Sequence, residues 1–331
     1  MPSFTRCLPH PFAAACFLLV ATMAQAIRAD EVPRYEVLKS GGSYLWKLGD
    51  DEIGRSDDLA TAIQSAIGGG RCEVHMRTGG QLARTIRMAR QLTLHGHGNT
   101  FEKTHNGTGF YHDGPGGITV RDMTITGGTG WGIHTNRASN LNFGNLHIIG
   151  GGIGIRVASH PSRPYEKGRW VRNLKVVNCT FERCGGHGIE TYGVEDFFID
   201  NITAKECREC GVLVNKGRNG KVGIVRAWRC SVGGGYAGLR FANNCSDITV
   251  EKVISIECGR GFFTVSNCRN IIVKEADIHN CSSHAILIQH SDGVVVRGGS
   301  YNGHGLVHYT SKNSAIHATH RDDHQPPEPA R

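Results

Sequence analysis

The chain has 331 residues, 45 of them glycine, with aromatic residues at 7% and 37 Lys+Arg against 29 Asp+Glu, a formal net charge of +8. Glycine at that level with few aromatics suits a turn-dense fold, and the length gives no reason to invoke a second large domain. The basic balance favours a polyanionic partner.

In chain order, the first segment reads as a targeting signal. Arg6 supplies a basic start, Phe12 to Met23 is an apolar run too short to span a membrane, and Ala24-Gln25-Ala26 is a small-residue cleavage site. Residues 1–26 are therefore expected to leave as a signal peptide, which makes the mature protein secreted or periplasmic with no membrane span. Residues 27–117 read as an N-terminal cap and first coils. There Ser56-Asp57-Asp58 precedes Leu59, Ala62, Ile63, Ala66 and Ile67, the pattern of an N-capped amphipathic helix that stops at Gly68-Gly69-Gly70. Glu73-Val74-His75-Met76 and Leu92-Thr93-Leu94 follow as the first predicted strands.

From Gly132 a motif returns about every 23 residues: a Gly or Ala, an apolar residue, a variable one and a second apolar or β-branched one. Its copies include Gly132-Ile133-His134-Thr135, Gly154-Ile155-Arg156-Val157, Gly188-Ile189-Glu190-Thr191, Gly211-Val212-Leu213-Val214 and Gly238-Leu239-Arg240-Phe241, and it continues to Gly305-Leu306-Val307-His308. Between copies lie β-rich runs such as Leu174-Lys175-Val176 and Ile271-Ile272-Val273. A unit this short cannot bury its own apolar face, so neighbouring copies must stack. Short strands at this period describe an all-β, single-stranded parallel β-helix of about 8–10 coils over residues 118–315. Residues 316–331, with Pro326, Pro327 and Pro329, read as a disordered tail.

The layout of capping helix, Gly-rich turn and repeated Gly-Ile coils resembles the pectin-lyase-like, right-handed parallel β-helix superfamily. That resemblance implies the fold and leaves the activity open, because lyases, hydrolases, epimerases, esterases and phage tailspikes share it.

Cys184, Cys207, Cys230, Cys258 and Cys281 occupy one slot in five successive coils. Equivalent residues one coil apart point the same way, which suits packed free thiols better than disulfides. Asn178, Asn244, Asn267 and Asn280 are expected to be turn residues bonded along the stack.

Period-two alternation places the variable residue of each motif outside the rod. Down the coils that column reads His134, Arg156, Glu190, Leu213, Arg240, Phe263, Leu287 and Val307. The next outward column includes Asn136, Ala158, Tyr192, Asn215 and Ala242, with Lys216 adjacent and His187 just before its strand. Most copies lie 20 to 24 residues apart, but Ile155 to Ile189 spans 34, so residues 159–170 form an insertion, and a smaller one runs from Ser231 to Tyr236. Insertions in solenoids collect on the binding face.

Gly186-His187-Gly188-Ile189 resembles the Gly-His-Gly of polygalacturonases, and Arg240 falls where their Arg-Ile-Lys motif begins, but Ala242 replaces its lysine. Those hydrolases also place aspartates before earlier strands, where this chain has Trp131-Gly132 and Ile153-Gly154. Inverting hydrolysis then lacks its acid and base. A cationic groove on an exported β-helix suits an acidic polysaccharide, for which β-elimination is the natural cleavage. It needs a cation on the carboxylate, a base for the adjacent C–H and an acid for the leaving oxygen. The expected catalytic set is Lys216, Tyr192, His187, Glu190 and Arg240, and the substrate-binding set Arg156, His134, Asn215, Arg240 and His160.

Arginine offers carboxylate a planar fork, and lysine serves as base only with a lowered pKa. No cofactor is expected. Calcium is not favoured, because the central columns supply only Glu190 with Glu195 and Asp196 in the next turn. His304, His308, His317 and His320 lie at the C-terminal edge and carry no metal assignment. The alternatives are a glycoside hydrolase or uronate C5-epimerase on the same groove, and a non-catalytic acidic-glycan-binding surface protein. A nucleic-acid partner is not expected, for want of aromatic platforms between the basic residues. The assembly is expected to be a monomer.

Overall fold

The computed structural model describes residues 31–163 and 166–321. The expected signal peptide, residues 1–26, lies outside the described residues. From Arg34 the chain opens with an antiparallel meander that sequence reading did not anticipate: β1 Arg34–Ser40, β2 Ser43–Leu48 and β3 Asp51–Ser56. Strand β1 also pairs in parallel with β4, Cys72–Met76, so the meander continues that strand ladder beyond the first coil at its N-terminal end.

Helix α1 runs from Leu59 to Ile67 as its sequence predicts. Asp58 is its N-cap, accepting from the Thr61 amide at 2.8 Å, and Gly68 ends it at φ 54°. Leu59, Ala60, Ala62, Ile63, Ala66 and Ile67 are buried, so one face of α1 closes the apolar interior at the N-terminal end of the stack.

The rest is a parallel β-solenoid of about 11 turns. The expectation of 8–10 coils was low because the turns between Cys72 and Gly117 lack most of the Gly-apolar punctuation. Each repeat contributes to ladders of strands that pair with their equivalents one coil away. One ladder runs through Phe110–Asp113, Ile133–Asn136, Ile155–Ala158, residues 189–192 and 212–215, Leu239–Ala242 and Arg260–Val265. The pairing joins Ile133 to Ile155, Ile189, Val212 and Leu239, so alternate residues enter one continuous core. Phe101, Phe110, Phe143, Phe181, Phe241 and Phe262 are among its largest fully buried side chains.

The glycine that starts most copies of the motif has a steric cause. A Cβ on Gly154, Gly188 or Gly211 would meet the carbonyl oxygen of the equivalent glycine in the next coil at 2.5, 2.6 and 2.7 Å. The coils turn there too tightly for any side chain. At another corner the chain turns through left-handed residues, Asn145, Asn178 and Asn201 at φ 52°, 54° and 49°. Asn201 donates to Asn178 at 2.9 Å, Asn178 to Asn145 at 3.1 Å, and Asn145 to Asp122 at 2.7 Å. The expected ladder is therefore real for Asn178, but its neighbours are Asn145 and Asn201. Asn244, Asn267 and Asn280 do not join it.

The ten cysteines among the described residues are free and buried. Amides following Cys207, Cys230, Cys258 and Cys281 bond to the carbonyls of Cys184, Cys207, Cys230 and Cys258, which places these five in register. At the start of the expected tail, Ala315–Ile316 and Thr319–His320 pair with the preceding coil. Residues 322–331 lie outside the described residues.

Gly211→Ala is expected to lower unfolding free energy by roughly 1–3 kcal/mol, the cost of overpacking a rigid site. Urea denaturation of the two proteins checks it, and equal stabilities would contradict the close-approach account.

Candidate functional site

The first strand ladder presents three parallel columns to the outside. The central one pairs Arg87, Tyr111, His134, Arg156, Glu190, Leu213, Arg240, Phe263, Leu287 and Val307 in that order, so the predicted column is in register and extends two coils further towards the N-terminus. Beside it run Asp113, Asn136, Ala158, Tyr192, Asn215, Ala242 and Val265. The residues just before each motif, including Trp131, His187 and Arg260, flank it on the other side.

At the middle of this face Glu190 is the hub. Its side chain is buried, pairs with the Arg156 guanidinium and accepts the Tyr192 hydroxyl at 2.8 Å. Arg156 is held between the rings of Trp131 and Tyr192, at 5.0 and 4.9 Å from their centroids. His187 lies behind, its Nε2 3.6 Å from Glu190 and 2.9 Å from Glu209. Burial opposes a charge on His187, while its hydrogen-bond partners and the two carboxylates favour one. The Cys210 amide, however, donates to Nδ1 at 2.9 Å and needs that nitrogen unprotonated. With Nδ1 accepting from that amide, we assign the neutral tautomer with its proton on Nε2, directed at Glu209.

One coil beyond, the small insertion delivers Tyr236. Its ring is 5.3 Å from that of His187 and 5.1 Å from the Arg240 guanidinium. The other side of Arg240 rests on Phe263, whose ring also supports Arg260. No carboxylate forms an ion pair with Arg240 among the described residues, although Glu209 is close enough to feel its charge, and its Nε is buried without a hydrogen-bond partner. Burial and the neighbouring Arg240 charge lower the pKa of Arg260, which donates to the Gly235 carbonyl. Two guanidiniums thus share one aromatic wall; the Glu209 carboxyl feels the Arg240 charge but does not pair with it, and an anion seated there would relieve the remaining excess of positive charge.

The other predicted residues are engaged by partners within the protein. Lys216 adopts φ 50°, which turns it out of the alternation. Its ammonium bonds to the Glu166 carbonyl in the long insertion and lies 5.0 Å from the Trp170 ring. Burial lowers its pKa, but the group is a clasp for the loop and is not free to act as base. His160 accepts the Ser162 and Arg163 amides at 3.1 and 2.9 Å and so staples a turn inside that loop. Asn215 is buried, accepting from Asn243 at 2.8 Å. His134 is buried against Trp131 and Tyr111 and bonds Asn136 at 3.0 Å; burial, then Arg156, holds it down to about 4, so it is neutral. The structure therefore brings together Glu190, Tyr192, His187, Arg156 and Arg240 from the predicted set. Trp131, Glu209, Tyr236 and Arg260 were missed as site residues because they lie in turns or at strand starts.

Residues 85–222 and 171–301 match the model of the right handed beta helix region. The chain belongs to the right-handed β-helix family. No curated protein matches this β-helix in sequence. Among solved structures it is similar to full-length tailspike protein 2 of an Escherichia coli bacteriophage, at 13% identity and TM-score 0.53 over 80% of this chain and 40% of that one. The β-helix thus spans two-fifths of the tailspike's length. It is also similar to the A-module of an Azotobacter vinelandii mannuronan C-5 epimerase, at 14% identity and TM-score 0.53 over 78% and 76% of the two chains. At such identities the likeness is one of fold.

The long insertion is anchored beside the face. Arg218 stacks on Trp170 at 4.1 Å and pairs with Glu195, which also accepts from Arg172 at 2.7 Å. The Arg172 hydrogen bond, against burial and with help from Arg218, holds the Glu195 carboxyl below its usual range. A depressed carboxyl contributes stability that is present above its unfolded pKa and lost as pH falls through the folded one. Wild type is expected to be more stable than Glu195→Gln at neutral pH, with the difference vanishing in acid. Unfolding free energies of both proteins across that range check it; a pH-independent difference would contradict the pairing.

Proposed function

We propose that this β-helix acts on an acidic, uronate-containing polysaccharide laid along the outward columns, and that it cleaves the chain as a lyase by β-elimination. The observation that carries the reading is Arg240, an unpaired guanidinium with a buried, unpartnered Nε beside a second cation, Arg260. Two structural neighbours, a tailspike and a mannuronan epimerase, agree in fold with that reading, and mannuronan, named for the epimerase, is a uronate polymer.

In the proposed reaction the uronate carboxylate docks on Arg240, which withdraws charge and acidifies the adjacent C–H. Tyr192 is partly exposed and hydrogen-bonded to Glu190, so it takes that proton with Glu190 accepting the phenolic one. The electron pair forms the new C=C bond as the glycosidic C–O bond breaks. Tyr236, partly exposed and with its pKa raised by burial and by Glu209, stays protonated and gives its proton to the leaving oxygen. His187 is too buried to touch a sugar and serves to position Glu190 and Glu209. The reading needs no cofactor and places the protein outside the cytoplasm. No helix among the described residues is long and apolar enough to cross a membrane.

The test is ultraviolet absorbance of unsaturated uronate during incubation with pectate, alginate, glucuronan and glycosaminoglycans. A rise is expected with one of them, reduced roughly 100-fold or more in Arg240→Ala and in Tyr192→Phe. A second reading has its own observation, since Glu190 and Glu209 both approach one nitrogen of His187, at 3.6 and 2.9 Å, and could form a carboxylate pair. New reducing ends without the absorbing product would overturn elimination in favour of hydrolysis.

A further inference from the structure

The N-terminal coils hold a second constellation, remote in sequence from the face just described. His75 lies in β4, His95 is its direct partner one coil on, and His97 follows in the turn after His95. One ligand nitrogen from each lies within 4.8 Å of the others, the sole such group of three His, Cys, Asp or Glu among the described residues. The rings crowd together, with His95 and His97 centroids 3.6 Å apart in an edge contact and His75 5.1 Å from His97.

The hydrogen bonds define which nitrogens face each other. His75 Nδ1 and His97 Nε2 are 2.9 Å apart, a pair that can share only one proton. His95 Nε2 is 2.7 Å from an Asp122 carboxylate oxygen, which fixes that ring's proton on Nε2 and leaves Nδ1 as a bare lone pair. That Nδ1 is buried and has no hydrogen-bond partner. His75 Nε2 in turn lies 3.5 Å from Glu73. His95 therefore has a carboxylate bonded behind it and a nitrogen turned towards the cluster, the arrangement that orients a histidine on a metal, and Glu73 lies within an ion-pair distance of His75. Arg77 also reaches His97 Nδ1 at 3.0 Å, but its charge is already matched by Glu36 at 2.7 Å. Reorienting Arg77 fully onto Glu36 would free His97 to carry its proton on Nδ1.

We propose that His75, His95 and His97 form a binding site for a borderline divalent transition ion of the Zn²⁺ class, held through His75 Nδ1, His95 Nδ1 and His97 Nε2. Three neutral imidazoles suit such an ion and are poor ligands for calcium or magnesium. The ion replaces the proton shared by His75 and His97 and meets the lone pair of His95, leaving a fourth position for water or another ligand. Because the ligands come from adjacent coils, it fastens the first turns of the solenoid together next to β1, which supplies Glu36. The site is independent of the proposed glycan chemistry.

The test uses the full-length untagged chain, stripped with chelator and titrated with ZnCl₂ in a calorimeter, and separately with Co²⁺ followed by its visible spectrum. One ion per chain is expected, with a higher unfolding temperature in the presence of zinc and a tetrahedral cobalt spectrum free of thiolate bands. Asp122→Asn, which keeps every imidazole, is expected to weaken binding about 10- to 100-fold. His97→Asn suits the left-handed backbone at φ 52° and is expected to lose binding altogether. No binding to the wild-type chain, unchanged binding in both variants, or cobalt–thiolate bands that place the ion at cysteine would each overturn the proposal.

Discussion

Everything in this structure depends on in-register parallel stacking. Each strand pairs with the same strand one coil away, at a spacing of about 4.8 Å, so a residue's identity is repeated or varied along a straight column. Inward columns must be apolar and of matched size because each side chain rests on its equivalents above and below. Corners must adopt left-handed or unusually tight backbone, which is why asparagine and glycine recur there. Outward columns carry no such demand, and a polar residue in one is free to serve a ligand.

The functional face follows from that constraint. Consecutive coils set Arg156 beside Glu190 and leave Arg240 two coils further on, beyond the apolar Leu213. The first guanidinium is consumed by an ion pair within the protein. The second is not, and the rings of Tyr236 and Phe263 flank it while no carboxylate forms an ion pair with it among the described residues. An arrangement that serves only stability would place a carboxylate at position 213 or 263, where this chain has Leu and Phe. The insertions reinforce the same region: one brings Tyr236 to Arg240, and the other is fastened by Lys216, Trp170, Arg218 and Glu195 alongside the columns.

Legibility in the sequence tracked regularity. The outward order from His134 to Val307 was readable because period-two alternation and a fixed coil length determine it. The helix from Leu59 to Ile67 was readable from its cap and its apolar spacing. Alternation fails where the backbone leaves the extended region, and the errors fall there. Lys216, at positive φ, points to the loop and is no free base, and His160 is spent on its own turn. Glu209 and Tyr236 lie in turns that only tertiary folding brings beside His187. His75, His95 and His97 were invisible as a group because His75 and His95 are 20 residues apart in the chain yet adjacent in the ladder.

The central claim is that Arg240 is the carboxylate receptor of a groove running along the coils. A crystal structure of the Tyr192→Phe protein with a bound oligouronate tests it most directly. The account predicts sugars aligned with the column from Tyr111 to Phe263 and a uronate carboxylate on the Arg240 guanidinium. Sugars bound at another face, or a carboxylate remote from Arg240, would contradict it.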